Sequence, residues 1–152
     1  MMRVLRIIEG TSVDGPGLRT SIYLAGCRHG CAGCHNPQSW DFTAGTEMSL
    51  SQIMDVVEYN EMPVTLTGGD PLYHPGEVAE LVEKIKELGL NVWLYTGFTW
   101  EEILGEQDLL DVVRKVDTVV EGRFVESLRD TSLLFRGSSN QRIINVHEAL
   151  AN

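Results

Sequence analysis

The sequence predicts an α/β protein, a single domain over residues 1–152 with mostly parallel strands. Three observations carry that expectation. Strand-like and helix-like patterns alternate from residue 19 onward, at the spacing of parallel strands joined by helical crossovers. No repeat, low-complexity tract or linker interrupts the alternation. The chain is long enough for a real hydrophobic core, and its 43% apolar and 22% charged residues are ordinary for a soluble domain.

The elements follow in order. "RTSIYLA" (19–25) is β-branched and aromatic, and reads as a strand. "SLSQIMDVVEYN" (49–60) opens with Ser49 and Gln52 at capping-box spacing, and Leu50, Ile53, Val56 and Val57 share one helical face. "VTLT" (64–67) has the pattern of a short buried strand ending at Gly68-Gly69. "PGEVAELVEKIKELG" (75–89) is the strongest helix, with Val78, Leu81, Val82, Ile85 and Leu88 as its apolar stripe and Gly89 suited to the position after its end. "NVWLYT" (91–96) is a strand, and "TWEEILGEQDLLDVVRK" (99–115) a helix expected to break near Gly105. "DTVVEG" (117–122) and "RIINV" (142–146) read as further strands. Trp93, Tyr95 and Trp100 sit in core-like patterns and need no functional role.

Charge and composition exclude several function classes. A net charge of -10 disfavours nucleic-acid binding, which needs a basic footprint for phosphate. No stretch approaches a membrane span, and Glu9 interrupts the N-terminus before a signal-peptide apolar core develops. The expected location is the cytoplasm, and three cysteines are an odd number for a secreted disulfide framework.

Those three lie within "GCRHGCAGCHN" (26–36), as Cys27, Cys31 and Cys34 at C-x3-C-x2-C spacing. In a parallel α/β fold, this loop and "GGDP", "TG" and "EG" all follow strands, so they emerge at the edge where such folds bind ligands. Thiolates suit zinc or an iron–sulfur cluster. A Cys3His zinc site completed by His29 or His35 is one possibility, although a solvated loop position is the expected role of His29. The other is a four-iron cluster in which one iron lacks a protein ligand and can bind a substrate. Gly26, Gly30 and Gly33 favour the cluster, because they let the loop turn tightly around it. No acid–base dyad is visible, and no catalytic residue is assigned.

At C-x3-C-x2-C the chain resembles the radical S-adenosylmethionine (SAM) enzymes. "DGPGLRTSIYLAGC" (14–27) resembles the segment before the cluster in glycyl-radical activating enzymes. "TLTGGDPLY" (65–73), "VWLYTGF" (92–98) and "RGSSNQRI" (136–143) look most like the activases of anaerobic (class III) ribonucleoside-triphosphate reductases. The resemblance runs from about residue 5 to residue 146.

It implies a radical SAM fold, a partial (βα)6-type barrel whose open side admits a protein loop. It also implies one 4Fe-4S cluster on Cys27, Cys31 and Cys34, and SAM bound beside it. Gly68, Gly69 and Asp70 match the Gly-Gly-acid motif that binds the SAM amino group, where the alternative is a glycine turn capped by Asp70. Gly33 and His35 flank the last cysteine and would lie against the adenine. Many relatives carry an aromatic where this chain has Gly33, a departure shared by the ribonucleotide reductase activases. Thr96 and Gly97 are further SAM contacts or a strand-ending turn. Asp14 and Arg19, and Glu121, Arg136, Ser138, Asn140 and Arg142, could serve the site, the partner or the scaffold.

The implied reaction is reductive cleavage of SAM to a 5′-deoxyadenosyl radical, which takes an α-hydrogen from a glycine of the reductase. The implied partners are that glycyl-radical subunit and a low-potential donor such as a flavodoxin. An activase of the formate-lyase type, suggested by "CHNP" (34–37), and a non-catalytic metal-binding module stay open as alternatives.

Overall fold

A computed structural model describes residues 1–34 and 37–151. The strands are β1 (Met2–Thr11), β2 (Arg19–Leu24), β3 (Thr46–Met48), β4 (Val64–Gly68), β5 (Val92–Tyr95), β6 (Thr118–Glu121) and β7 (Arg142–Asn145). The helices are α1 (Leu50–Asn60), α2 (Pro75–Glu87), α3 (Trp100–Gly105), α4 (Gln107–Val113) and α5 (Val146–Ala149). The strands form one mixed sheet in the order β3-β1-β2-β4-β5-β6-β7.

The α/β class is as expected, and β2, β4, β5 and β6 pair in parallel. The flanks differ from the expected succession of parallel units. β1 runs antiparallel between β2 and β3, and β7 returns antiparallel on β6. A strand preceded by a loop rather than a crossover helix can turn straight back on its neighbour, and the connection at 122–141 holds only a short 3-10 turn. β1 escapes a period-two pattern because register shifts between Val4 and Arg6 and between Glu9 and Thr11 interrupt its alternation. β3 is too short to leave a pattern.

Ser49 and Gln52 close the expected capping box on α1, and a second, unexpected box, Thr99 with Glu102, starts α3. α2 buries Val78, Leu81, Val82 and Ile85 completely, whereas Leu88 lies past its end and is exposed. Gly89 takes φ +75° there and donates to the Lys86 carbonyl. The expected break falls at Gly105, between α3 and α4.

Every residue of β2 is buried, as in a parallel strand covered on both faces. Arg19 braces this strand. Its guanidinium donates to the Thr65 hydroxyl at 2.9 Å, the Val64 carbonyl at 3.0 Å and the Asn91 side chain at 2.7 Å. Burial lowers its pKa. Asp14 accepts from the Tyr23 hydroxyl, and its carbonyl accepts from Thr65. Both residues therefore hold the turn into β2.

The register sets up the functional edge. Leu24 pairs with Gly68, Leu66 with Leu94, and Tyr95 with Val120, so the C-terminal ends of the parallel strands form one row.

Two ion pairs brace the far side of that row, and each generates a prediction. Glu121 is 1% exposed and accepts from Arg142 Nε at 2.8 Å and from the Trp100 N–H at 2.6 Å. Arg142→Ala strands that carboxylate and should cost about 2–3 kcal/mol, below the range for a fully buried pair because the guanidinium is half in water. Urea unfolding would show a lower midpoint with an unchanged slope. Glu102 takes a two-pronged bond from Arg123, at 2.7 and 3.0 Å. That bond, with the Thr99 N–H, holds the Glu102 carboxyl down to about 2, from an ordinary 4.5. Its contribution to stability is present above pH 4.5 and is lost as pH falls toward 2. Glu102→Gln should therefore be less stable than wild type at neutral pH, and the gap should close across that window in acid titrations followed by circular dichroism.

Candidate functional site

The site begins with a backbone contact. β4 ends in Gly68, whose φ is +113°, and a Cβ there would stand 2.3 Å from the Leu24 carbonyl oxygen. A Cβ at Gly69 would stand 2.6 Å from the Gly26 carbonyl oxygen. In this close approach the Gly69 N–H donates to Leu24 at 2.7 Å and the Asp70 N–H to Gly26 at 2.8 Å. The Gly26 N–H reaches the Ser39 carbonyl at 2.7 Å. The Gly-Gly pair thus clamps the root of the cysteine loop.

Beyond the clamp, Cys27, Cys31 and Cys34 line one cavity of about 210 Å3 together with Gly68, Gly69, Thr96 and Gly97. Seven of the expected site residues therefore meet in one place, with Cys31 and Cys34 also tied by a backbone bond at 3.2 Å. Burial, with the negative potential of Asp70 and the other two cysteines, pushes the Cys27 thiol up to about 11. A metal bound there must displace that proton. Among the described residues, no three His, Cys, Asp or Glu side chains converge on one ion. A cubane makes no such demand, because it takes each thiolate on a different iron.

Gly33 lies elsewhere on the loop. Its φ is +75°, its carbonyl accepts from Arg129 at 3.0 Å, and a Cβ would meet Glu126 at 2.8 Å. It does not line the cavity. His35 falls outside the described residues.

Asp70 is 1% exposed and carries the densest bonding of the site. Oδ1 accepts from the Leu72 N–H at 2.9 Å, Oδ2 from the Gly97 N–H at 2.8 Å, and the Thr96 hydroxyl lies 2.9 Å from both. Oδ2 also stands 2.6 Å from His29 Nε2. Two carboxylate oxygens offer about four lone-pair sites, so these four donors fill them. The capping role is present, and Thr96 and Gly97 meet the acid directly.

His29 is the correction. It is not a solvated loop residue: its side chain is 4% exposed, and its ring lies against Phe98 and Tyr73 with centroids 4.7 and 5.2 Å away. Nothing in its local spacing signals this, because the contacts come from loops 41 and more residues away. Sequence reasoning also missed Phe124 and Phe135 on the cavity wall, and gave Tyr95 no place there.

"RGSSNQRI" forms the opposite wall as a cross-braced turn. Gln141 accepts from the Gly137 and Ser138 N–H groups and donates to the Gly122 carbonyl at 2.9 Å. Ser138 donates to Asn140, Asn140 donates to the Arg123 carbonyl, and Arg136 donates to the Gln141 carbonyl. Arg142 and Glu121 pair with each other. These residues build the wall, whereas Gly137 and Gln141 reach the cavity itself.

Comparison with known proteins agrees with this arrangement. Residues 13–144 match the model of a 4Fe-4S single cluster domain. An anaerobic ribonucleoside-triphosphate reductase-activating protein of Escherichia coli (strain K12) is 34% identical over 140 residues, covering 85% of this chain and 89% of that protein. Proteins of the same name in Haemophilus influenzae and Enterobacteria phage T4 are 31% and 33% identical, covering 93% and 91% of this chain and 97% and 90% of their own lengths. With three cysteines, a clamped loop and a cavity inside the matched span, the chain belongs to the 4Fe-4S single cluster domain family and, within it, to the anaerobic ribonucleoside-triphosphate reductase-activating proteins.

Proposed function

We propose that this protein generates the glycyl radical of an anaerobic ribonucleoside-triphosphate reductase, using a 4Fe-4S cluster and S-adenosylmethionine. The observation that carries the proposal is one cavity wall holding Cys27, Cys31 and Cys34 beside the Gly68-Gly69 clamp and Thr96-Gly97. When bound, the cluster supplies an electron that splits SAM to methionine and a 5′-deoxyadenosyl radical, which takes an α-hydrogen from a glycine of the reductase.

The residues present fit those groups. Cys27, Cys31 and Cys34 would hold a four-iron cluster through three thiolates, and a fourth iron without a protein ligand would be open to the amino acid part of SAM. Gly68 and Gly69 line the cavity, and their missing side chains make room for the Leu24 and Gly26 backbone that carries the cysteine loop. Asp70 is the acid for the SAM ammonium, and because four protein donors fill its carboxylate, one must yield as the ligand binds. Thr96 and Gly97 lie on the same wall, and the adenine neighbours are proposed to be Gly33, which lies on the loop outside the cavity lining, and His35. Tyr95, Phe124 and Phe135 shield the reacting atoms from water.

The chain acts as one domain over residues 1–152. Its sheet is proposed to curl as a partial (βα)6-type barrel of the radical SAM kind, and the parallel run of β2, β4, β5 and β6 supports this. The glycyl-radical subunit enters from the open side, and a low-potential donor such as a flavodoxin supplies the electron. The relatives' names favour the reductase over a formate-lyase-type partner.

The direct test mixes reduced, reconstituted protein with SAM and the reductase and looks for the glycyl radical by electron paramagnetic resonance. Wild type should give the signal, and Cys27→Ala, Cys31→Ala and Cys34→Ala should each abolish it and the release of 5′-deoxyadenosine, while circular dichroism stays near wild type. A cysteine variant with wild-type turnover would sink the assignment.

Asp70→Asn should retain the cluster and bind SAM one to two decades more weakly, the worth of a charge-assisted bond at about 1.5–3 kcal/mol. It also turns an N–H2 toward donors that need an acceptor, so melting should fall by several degrees. Titration calorimetry and thermal unfolding separate the two effects. Unchanged affinity with lowered melting would leave Asp70 as a cap alone.

A further inference from the structure

We infer that His29 is a positioning residue that latches the cysteine loop to the loops following β4 and β5, holding it in the shape that receives the cluster. It sits between Cys27 and Cys31, so whatever fixes its ring fixes the stretch of chain between two of the proposed ligands. Four residues fix it, Asp70, Phe98, Tyr73 and Gly97. Nε2 lies 2.6 Å from Asp70 Oδ2, between two groups that are 4% and 1% exposed. The ring edge meets Phe98, with Tyr73 tilted against it. Its fourth contact is Gly97, where a Cβ would stand 2.5 Å from His29 Cδ2, so the ring closes over a position that tolerates no side chain.

Asp70 itself does not move freely. Backbone N–H groups of Leu72 and Gly97 and the Thr96 hydroxyl hold its carboxylate from two different loops. His29 is the one donor of the four that comes from the cysteine loop, so this bond joins that loop to a hub held from two other loops. A short, buried bond of this kind is worth more than an exposed one, because breaking it leaves the imidazole N–H away from water and the carboxylate one donor short.

The latch rests on the proposed cluster site only for its purpose, and its geometry can be tested without metal. In the metal-free full-length protein, amide hydrogen exchange over residues 26–33 should run about tenfold faster in His29→Ala than in wild type, with α2 amides unchanged. His29→Gln, which keeps an N–H able to reach Asp70, should restore much of the protection. After anaerobic reconstitution, His29→Ala should lose iron to a chelator about tenfold faster than wild type, and its reduced cluster should give a heterogeneous electron paramagnetic resonance signal where wild type and His29→Gln give one form. Unchanged loop exchange in His29→Ala would overturn the latch. So would equal loss of protection in α2, which would make His29 an ordinary core residue. Failure of the wild type to take up a four-iron cluster would instead defeat the proposed function, and the exchange experiment would still decide the latch.

Discussion

The close approach of two backbones at the ends of β2 and β4 is the constraint on which the site depends. Leu24 and Gly68 pair in register, and the chain then crosses itself so tightly that Gly68 and Gly69 have no space for a Cβ. Any side chain at either position would meet backbone oxygen, which cannot swing aside as a flexible side chain can. The parallel sheet supplies the alignment and the glycines supply the proximity. The cysteine loop then leaves the sheet already fastened at its root, and Asp70, one residue further on, points its carboxylate at the loop's His29.

The parts legible in the sequence are those whose cause is local. The capping box at Ser49, the apolar stripe of α2 up to Ile85 and the turn at Gly89 each arise within a few residues, and each stands where its pattern places it. The convergence of the cysteines with Gly68, Gly69, Thr96 and Gly97 was legible one level up, because parallel strands must deliver their following loops to one edge. What was not legible depends on tertiary contact. β1 carries bulges that hide its period, β7 reverses because no crossover helix precedes it, and Leu88 leaves the core because its helix stops one residue earlier. His29 is the sharpest case: a polar residue in a glycine-rich loop reads as solvated until Asp70, Phe98 and Tyr73 are brought around it.

Asp70 shows how a capping role and a binding role can occupy one residue. As a cap, it accepts from Leu72 and starts the 3-10 turn after β4. As a hub, it gathers Thr96 and Gly97 from the next loop, which places the end of β5 at a fixed distance from the clamp. A ligand reaching the carboxylate would enter a shell already satisfied, so its affinity is the difference between two well-bonded states. Because the bonds given up already have an ionised acceptor, a donor charged in its own right, such as an ammonium, competes for the carboxylate better than a neutral one.

The remaining wall is built on a different principle. The connection at 122–141 has little regular structure and few fully buried apolar residues, so side-chain hydrogen bonds must do what core packing does elsewhere. Its arginines are consumed in that task. Arg123 is paired to Glu102, Arg129 bonds the Gly33 carbonyl and covers Phe124, and Arg136 bonds the Gln141 carbonyl, while Arg142 at the start of β7 pairs with Glu121 and Glu101. In a chain of net charge -10, Arg123 and Arg142 neutralise Glu102, Glu101 and Glu121, while Arg129 and Arg136 are spent on backbone carbonyls. A segment held mainly by side-chain hydrogen bonds has less buried apolar area to lose on opening than a packed core has.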